Sequence, residues 1–417
     1  QIATEANELA RDLVAGFVGT DLDTNTVVFT KNTTEAINKL AHRFPLGTDD
    51  IVLCSLMEHH SNDLPWRQRA RVYHIAVHDD GSLDEDDFDR LLSRHAGRVK
   101  LVAISGASNV TGCLNPIHRL AEKAHAVGAQ IAVDAAQLVA HRTVDMRPDD
   151  DPCHLDFVAL SAHKMYAPYG TGALIGPASV FQCGIPDMVG GGTVDLVTAE
   201  HVLWAGPPGR DEAGSPNVVG AVALAQAILS LQEIGMEAVA RHEAELTSHA
   251  LHHLGQISGV EVYGSADPVR VAERLGIIPL NVRGVDHYRV AAVLSHEAGI
   301  GVRDGFFCAH PYLLRLMGIS GKEALQNHQE RLAGKHIGRP GLVRASFGCY
   351  NTVDEVDRFA EALARIAAGQ IQGHYVRDEQ SGAYMPRGFD PHYEQYFVVQ
   401  AGTRAQPRKY PLPECGA

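Results

Sequence analysis

Short runs of β-branched and apolar residues recur along the chain: TVVFT (26–30), DIVLCSL (50–56), VKLVAISG (99–106), QIAVDAA (130–136) and LDFVALSAH (155–163), with helical patterns between most of them. Alternation of this kind points to an α/β fold, a mainly parallel sheet wrapped by helices. In TEAINKLAHRF, Ala36, Ile37, Leu40, Ala41 and Phe44 fall on one helical face, and HRLAEKAHAVG (118–128) ends in glycine as a helix C-terminus should. Both read as crossover helices.

From about residue 190 the texture changes to GGGTVDL and AGPPGRDEAGSPN, which suit loops, and a long helical pattern follows over roughly 217–254. The strand-like VEVYG (260–264) and PLNVRG (279–284) and the helix-like YRVAAVLSHEAG (288–299) then predict an α+β unit. The expected organisation is a large domain over 1–235, a smaller one over 236–370 and an extension over 371–417 rich in Tyr, Pro and Gly. A chain of 417 residues is long enough for two such cores. It starts at Gln1 and enters a helical pattern at once, so a preceding segment is expected.

The net charge of −14 disfavours nucleic acid and anionic membranes as partners. No apolar run approaches the roughly 18 residues of a membrane helix, and the first residues lack the pattern of a signal peptide. The seven cysteines are scattered without any Cys-x-x-Cys pair, which predicts neither a disulfide framework nor a structural zinc site. A cytoplasmic protein is expected.

Chemistry concentrates at strand ends. SAHKMYAPYGTGALIG (161–176) places Ser161, His163 and Lys164 beside a glycine-containing turn, where a desolvated lysine becomes a usable amine. Taken alone, that segment fits a surface lysine at a strand end better. VDAAQ (133–137) puts Asp134 at the C-terminal end of a strand, where α/β proteins bind ligands, although an Asp there can also cap the next helix. KNTTEAINKLA (31–41) offers Thr33 and Thr34 at a helix start, as a phosphate site or a plain capping box. MEHH (57–60) brings His59 and His60 to another strand end, with no further ligands in view for a metal.

In order, KNTTEAIN, MEHHSNDLPW, SNVTGCLNP, VDAAQ, SAHKMYAPYGTG, RDEAGSPN, CAHP and RASFGCYNT resemble the class V aminotransferase superfamily. Within it they are most similar to the group II cysteine desulfurases and selenocysteine lyases. The resemblance runs from about residue 5 to about residue 368. It implies a fold-type I enzyme dependent on pyridoxal 5′-phosphate (PLP) and working as a homodimer. It makes Lys164 the Schiff-base lysine, Asp134 the partner of the pyridine nitrogen, His59 the residue stacked on the ring and Gln137 the partner of the ring hydroxyl. Thr34, Ser161 and His163 would hold the phosphate, with Ser215 reaching it from the other subunit. Asn109 would sit by the cofactor and the substrate carboxylate, and Arg344 would clamp that carboxylate with two donors at once.

Cys308, in VRDGFFCAHP (302–311), stands where these desulfurases keep the cysteine that takes the sulfur. The Gly and Pro around it suggest a mobile loop, and Arg303 is near in sequence. Phe306 and Phe307 occupy positions where the desulfurases usually have two histidines, and phenyl rings neither shuttle protons nor stabilise a thiolate. The Asp-rich DDDP (149–152) is a further departure that touches no motif. The expected activity is conversion of L-cysteine to L-alanine with sulfur passed to Cys308 as a persulfide, and onward to a sulfur-acceptor protein. The alternative is a class V aminotransferase, epimerase or β-lyase with another amino-acid substrate, Cys308 idle, and the two phenylalanines as an apolar wall.

Overall fold

A computed structural model describes residues 1–333, 338–378, 382–390, 392, 395 and 396. Seven strands come first: β1 (Asn25–Thr30), β2 (Ile51–Ser55), β3 (Arg71–Ile75), β4 (Val99–Ser105), β5 (Gln130–Asp134), β6 (Phe157–Ser161) and β7 (Gly172–Pro177). They form one sheet in the order β1-β7-β6-β5-β4-β2-β3, with β7 alone running against the others.

The apolar runs are continuous because both faces of this sheet are covered. Side chains alternate across a strand, so Leu53, Val102, Ile104, Ile131, Val133, Val158 and Leu160 enter one core. Their neighbours Val52, Cys54, Leu101, Ala103, Ala132, Phe157 and Ala159 enter another on the opposite face. The helix Thr33–Arg43 packs Ala36, Ile37, Leu40 and Ala41 into that second core, as the helical face read from the sequence requires. Gly172 is needed where β7 meets β6: a Cβ there would lie 2.5 Å from the Leu160 carbonyl oxygen and 2.8 Å from Asn32 Cα.

The stretch read as loop after residue 190 contains a hairpin of β8 (Val194–Val197) and β9 (Val202–Trp204). Its exposed Leu196, Val197, Val202 and Leu203 give no core-facing alternation. The long helical pattern is two helices, Val218–Ile234 and Met236–Leu254, broken at Gly235, whose φ of 86° interrupts the helix. Among the described residues no single helix is long and apolar enough to cross a membrane; that bent pair reaches the length only together, across a 75° break.

A second, antiparallel sheet joins β10 (Val260–Val262), β11 (Ile277–Val282), β12 (Arg303–Gly305) and β13 (Leu342–Ser346) in the order β10-β11-β13-β12. Its own core of Ile278, Leu280, Val343 and Ala345 packs against Leu246 and Leu254, Val290 and Leu294, and Phe359 and Leu363. Part of the extension after 370 lies outside the described residues. Its beginning is tied down, because the Glu297 carboxylate accepts hydrogen bonds from the backbone of Gln372 (3.2 Å) and Gly373 (2.9 Å) and from the Tyr375 hydroxyl (3.1 Å).

Candidate active site

The C-terminal ends of β2, β4, β5 and β6, with the helix following β1, surround one open cleft of about 590 Å³. This is the edge of a parallel sheet where backbone termini and loops converge. Of the residues singled out above, Thr34, His59, Asn109, Asp134, Gln137, Ser161, His163 and Lys164 all line it. Ser215 does not. It is exposed and lines a separate cleft with Thr30, Lys31 and Asn217.

The electrostatics of the cleft suit a cationic heterocycle carrying a phosphate. Asp134 is 7% exposed, accepts one hydrogen bond from the Ala136 N–H (3.0 Å), and forms no ion pair with any described residue. Burial raises its pKa, against the pull of Lys164 and the Ala136 N–H. A buried carboxylate in that condition fits the protonated ring nitrogen of PLP. Burial lowers the pKa of Lys164, with Arg344 acting in the same direction and Asp134 opposing. Its Nζ donates to Gln137 Oε1 at 3.3 Å. His59 is neutral, its pKa pushed down to about 4 by burial and by the positive charges of Lys164, His60 and Arg344. Its Nδ1 accepts the Ser61 N–H at 3.1 Å, which fixes the ring plane at the cleft wall.

At the start of the helix Thr33–Arg43 the roles divide. Thr33 is buried, with its hydroxyl oxygen 2.8 Å from Ser161 Oγ and its N–H donating to Ser161 Oγ at 2.9 Å. Thr34 is exposed and meets Ser61 Oγ at 2.6 Å. Hydroxyls beside a helix N-terminus suit a phosphate group, so the whole donor set fits PLP. Ser61 joins Thr34 to His59, a link that adjacent letters in MEHHS could not reveal.

Arg344, on β13, reaches the cleft from the second sheet. Its Nη1 donates to the Asn109 carbonyl oxygen (2.6 Å), and the Asn109 amide donates to the Phe307 carbonyl oxygen (2.8 Å). The Phe307 ring closes the triangle, lying 4.8 Å from the Arg344 guanidinium carbon. Arg344 Nε is buried without a partner and its pKa is lowered to about 10 by burial and by Arg303, its cross-strand neighbour. Phe307 therefore supports a cation, and Phe306 packs on the ring of His310 at 4.5 Å.

Cys308 is exposed, and it follows Phe307 in two consecutive left-handed residues, φ 51° and 56°. Such a turn costs on the order of 1–3 kcal/mol per residue and persists only when its surroundings hold it. Here they do: the Cys308 carbonyl oxygen accepts the His60 N–H (2.7 Å), and Asn109 holds that of Phe307. The loop read as mobile from its glycine and proline is pinned to the cleft wall by its backbone.

Sequence reasoning missed two structural carboxylate sets. RDEAGSPN drew attention for Ser215, yet its Asp211 pairs with Arg43 (3.3 Å) and its Glu212 with Arg11 (2.9 Å), anchoring the loop. Glu58, inside MEHH, is 2% exposed and accepts hydrogen bonds from Ser55 Oγ, Asn62 Nδ2 (2.7 Å), Ser105 N (2.9 Å) and Ser105 Oγ (2.6 Å). It ties the ends of β2 and β4 together beneath the cleft. Burial outweighs those donors and raises its carboxyl from 4.5 to about 7. A raised folded-state pKa contributes stability that is complete below about 4.5 and is lost as pH rises through about 7. That component, on the order of 3 kcal/mol, is expected in wild-type denaturant unfolding across this window and absent from Glu58→Gln. An identical pH slope in the two proteins would count against it.

The family model for class V aminotransferases matches residues 1–359. A probable cysteine desulfurase of Halobacterium salinarum is 36% identical over 371 residues, covering 87% of this chain and 81% of that protein. A cysteine desulfurase of Haloferax volcanii is 35% identical, covering 87% and 79%. The chain spans about half the length of a probable cysteine desulfurase of Mycolicibacterium paratuberculosis, with 35% identity and 88% of this chain matched. Among solved structures, a cysteine desulfurase from Thermococcus onnurineus superposes with a TM-score of 0.75, at 32% identity, over 88% of this chain and 85% of that one.

Proposed function

The chain belongs to the class V aminotransferase family, and from that footing we propose that it is a PLP-dependent cysteine desulfurase that moves sulfur from L-cysteine onto Cys308 and releases L-alanine. The observation that carries this reading is one constellation. A desolvated Lys164 and an unpaired buried Asp134 share a cleft, Arg344 with a partnerless Nε bonds to Asn109 of its wall, and the exposed Cys308 belongs to the loop that Asn109 and His60 hold by its backbone.

Lys164 would hold PLP covalently, Asp134 would face its ring nitrogen, and Gln137 its hydroxyl. His59 would lie against the ring, and Thr34, Ser161 and His163 would take the phosphate. Bound there, PLP supplies an electron sink for the pair released when a substrate Cα–H bond breaks. Arg344, with Asn109 beside it, binds and orients the substrate carboxylate, which satisfies its buried guanidinium. The Lys164 amine, favoured in its neutral form by burial, takes the Cα proton and later returns one. The Cys308 thiolate attacks the substrate sulfur and breaks the S–Cβ bond. The sulfur remains as a persulfide on Cys308, and protons returned to carbon complete alanine.

We further assign residues 1–235 to a cofactor-binding domain and 236–370 to a smaller one. Ser215, turned away from the cleft of its own chain, suits a homodimer in which it completes the partner's phosphate site. The six described cysteines are all free, in keeping with a reducing cytoplasm and with handing sulfur to an acceptor protein.

Phe307→Leu removes the ring beneath Arg344 and leaves Lys164 and Cys308 in place. It is expected to raise KM for L-cysteine roughly threefold to tenfold with little change in kcat, the size of one partly buried cation–π contact. Steady-state kinetics check this, and an unchanged KM would remove Phe307 from a supporting role. The activity itself is tested by incubating purified protein and PLP with L-cysteine, L-selenocysteine and a panel of other amino acids. Alanine and sulfide from L-cysteine are expected. Turnover confined to other amino acids would favour an aminotransferase, epimerase or β-lyase.

A further inference from the structure

At the opposite end of β6 from Lys164, three side chains converge that the reaction does not use. Asp156 immediately precedes β6, His125 ends the helix Ile117–His125, and His154 lies in the loop that follows DDDP. His125 Nε2 stands 2.9 Å from Asp156 Oδ2 and His154 Nε2 stands 3.5 Å from Asp156 Oδ1. The two imidazole rings are stacked, with centroids 4.3 Å apart and planes 23° from parallel. All three ligand atoms lie within 4.8 Å of one another.

We propose that His125, His154 and Asp156 form a binding site for a divalent transition-metal ion of the zinc type, separate from the cofactor cleft. The hydrogen bonds on the far side of each group carry the argument. His125 Nδ1 faces the Pro152 carbonyl oxygen at 2.8 Å, and His154 Nδ1 faces the Asp151 carbonyl oxygen at 2.7 Å. A carbonyl oxygen is an acceptor only, so each Nδ1 carries a proton, and a neutral ring then turns its Nε2 lone pair towards Asp156. A proton on His125 Nε2 would pair that ring with Asp156 Oδ2 at 2.9 Å and leave His154 Nε2, 3.5 Å from Oδ1, too far for a good hydrogen bond; one metal ion satisfies both nitrogens and the carboxylate together.

Asp156 is held in the same manner, its Oδ1 by Gln130 Nε2 (2.7 Å) and its Oδ2 by the Ile131 N–H (2.8 Å). Each ligand thus has an outer partner that fixes its orientation, the arrangement that metal-binding histidines and carboxylates require. Two histidines and a carboxylate suit zinc, with a fourth tetrahedral position open to water. A second trio, His249, His253 and Asp357, lies on the surface. Its side chains are 32, 39 and 44% exposed, against 18, 19 and 6% for His125, His154 and Asp156. Asp156 and Ser161 are separated by the length of β6, roughly 17 Å at strand rise, so the ion would not touch PLP. It would clamp the DDDP loop to the helix Ile117–His125 and the sheet.

The test uses full-length PLP-loaded protein stripped with a chelator and titrated with Zn²⁺ by calorimetry and with Co²⁺ by its visible ligand-field bands. A single tight equivalent per chain is expected, with tetrahedral Co²⁺ bands and a raised melting temperature. His125→Ala and His154→Ala should each weaken binding more than about a hundredfold, beyond the loss of an outer partner. His154 is in a loop, so metal-free His154→Ala should melt like metal-free wild type. Cys308→Ala and His253→Ala should bind as wild type does. Failure to bind Zn²⁺, an equivalent that survives both His125→Ala and His154→Ala, or one that disappears in Cys308→Ala or His253→Ala would overturn the proposal. None of these readouts depends on turnover.

Discussion

Lys164→Ala is expected to lower alanine formation from L-cysteine by at least about 10³-fold while PLP still binds, because the amine proposed to carry the proton is lost and the other contacts remain. The remaining contacts are Asp134, Gln137, Ser161 and the hydroxyls at the start of the helix Thr33–Arg43. Borohydride treatment of the wild type should attach the cofactor to the Lys164 peptide, and the variant should retain none after denaturation. Peptide mapping decides it: a label on another lysine, or wild-type turnover by Lys164→Ala, would remove Lys164 from its place in the account.

Cys308→Ala should have an effect nearly as large, of a different kind. The thiol is exposed, so its removal changes folding stability by no more than about 0.5 kcal/mol. Both flanking backbone contacts, from His60 and Asn109, survive the substitution. Substrate should therefore bind with near-normal affinity, since Arg344 and Lys164 are untouched, while sulfur release falls roughly 10²- to 10⁴-fold for want of a nucleophile. Selenocysteine turnover is expected to suffer less, because selenium leaves more readily. Pre-steady-state binding spectra together with alanine release separate these outcomes. Full activity on every accepted substrate would make Cys308 a structural residue.

The fold was legible in the sequence because β2, β4, β5 and β6 are buried on both faces and so read as continuous apolar runs. The cleft was legible because its residues follow those runs directly: Asp134 ends β5, and His163 and Lys164 follow β6. What escaped was the pairing of residues distant along the chain. Phe307 reads as a lost histidine or an apolar wall, and its contact with Arg344 exists only once β12 and β13 are side by side. Glu58 was hidden within a motif read for its histidines; a glutamate amid the buried end of a strand was the available signal. Thr33 and Thr34 are indistinguishable as letters, and the helical turn assigns one to Ser161 and the other to the cleft mouth. His125, His154 and Asp156 were invisible because they match no ligand spacing and meet only through the DDDP loop. The hairpin of β8 and β9 went unseen because it stands away from any core, leaving its residues without the alternation that burial imposes.

The proposed activity stands or falls on the passage of sulfur from L-cysteine to Cys308. Brief exposure of the wild-type protein to L-cysteine without reductant, followed by peptide mass spectrometry, tests it most directly. One added sulfur is expected on the Cys308 peptide, removable by dithiothreitol, formed in step with alanine and absent from Lys164→Ala. Alanine released without a persulfide on Cys308, or added sulfur on Cys349 instead, would contradict it.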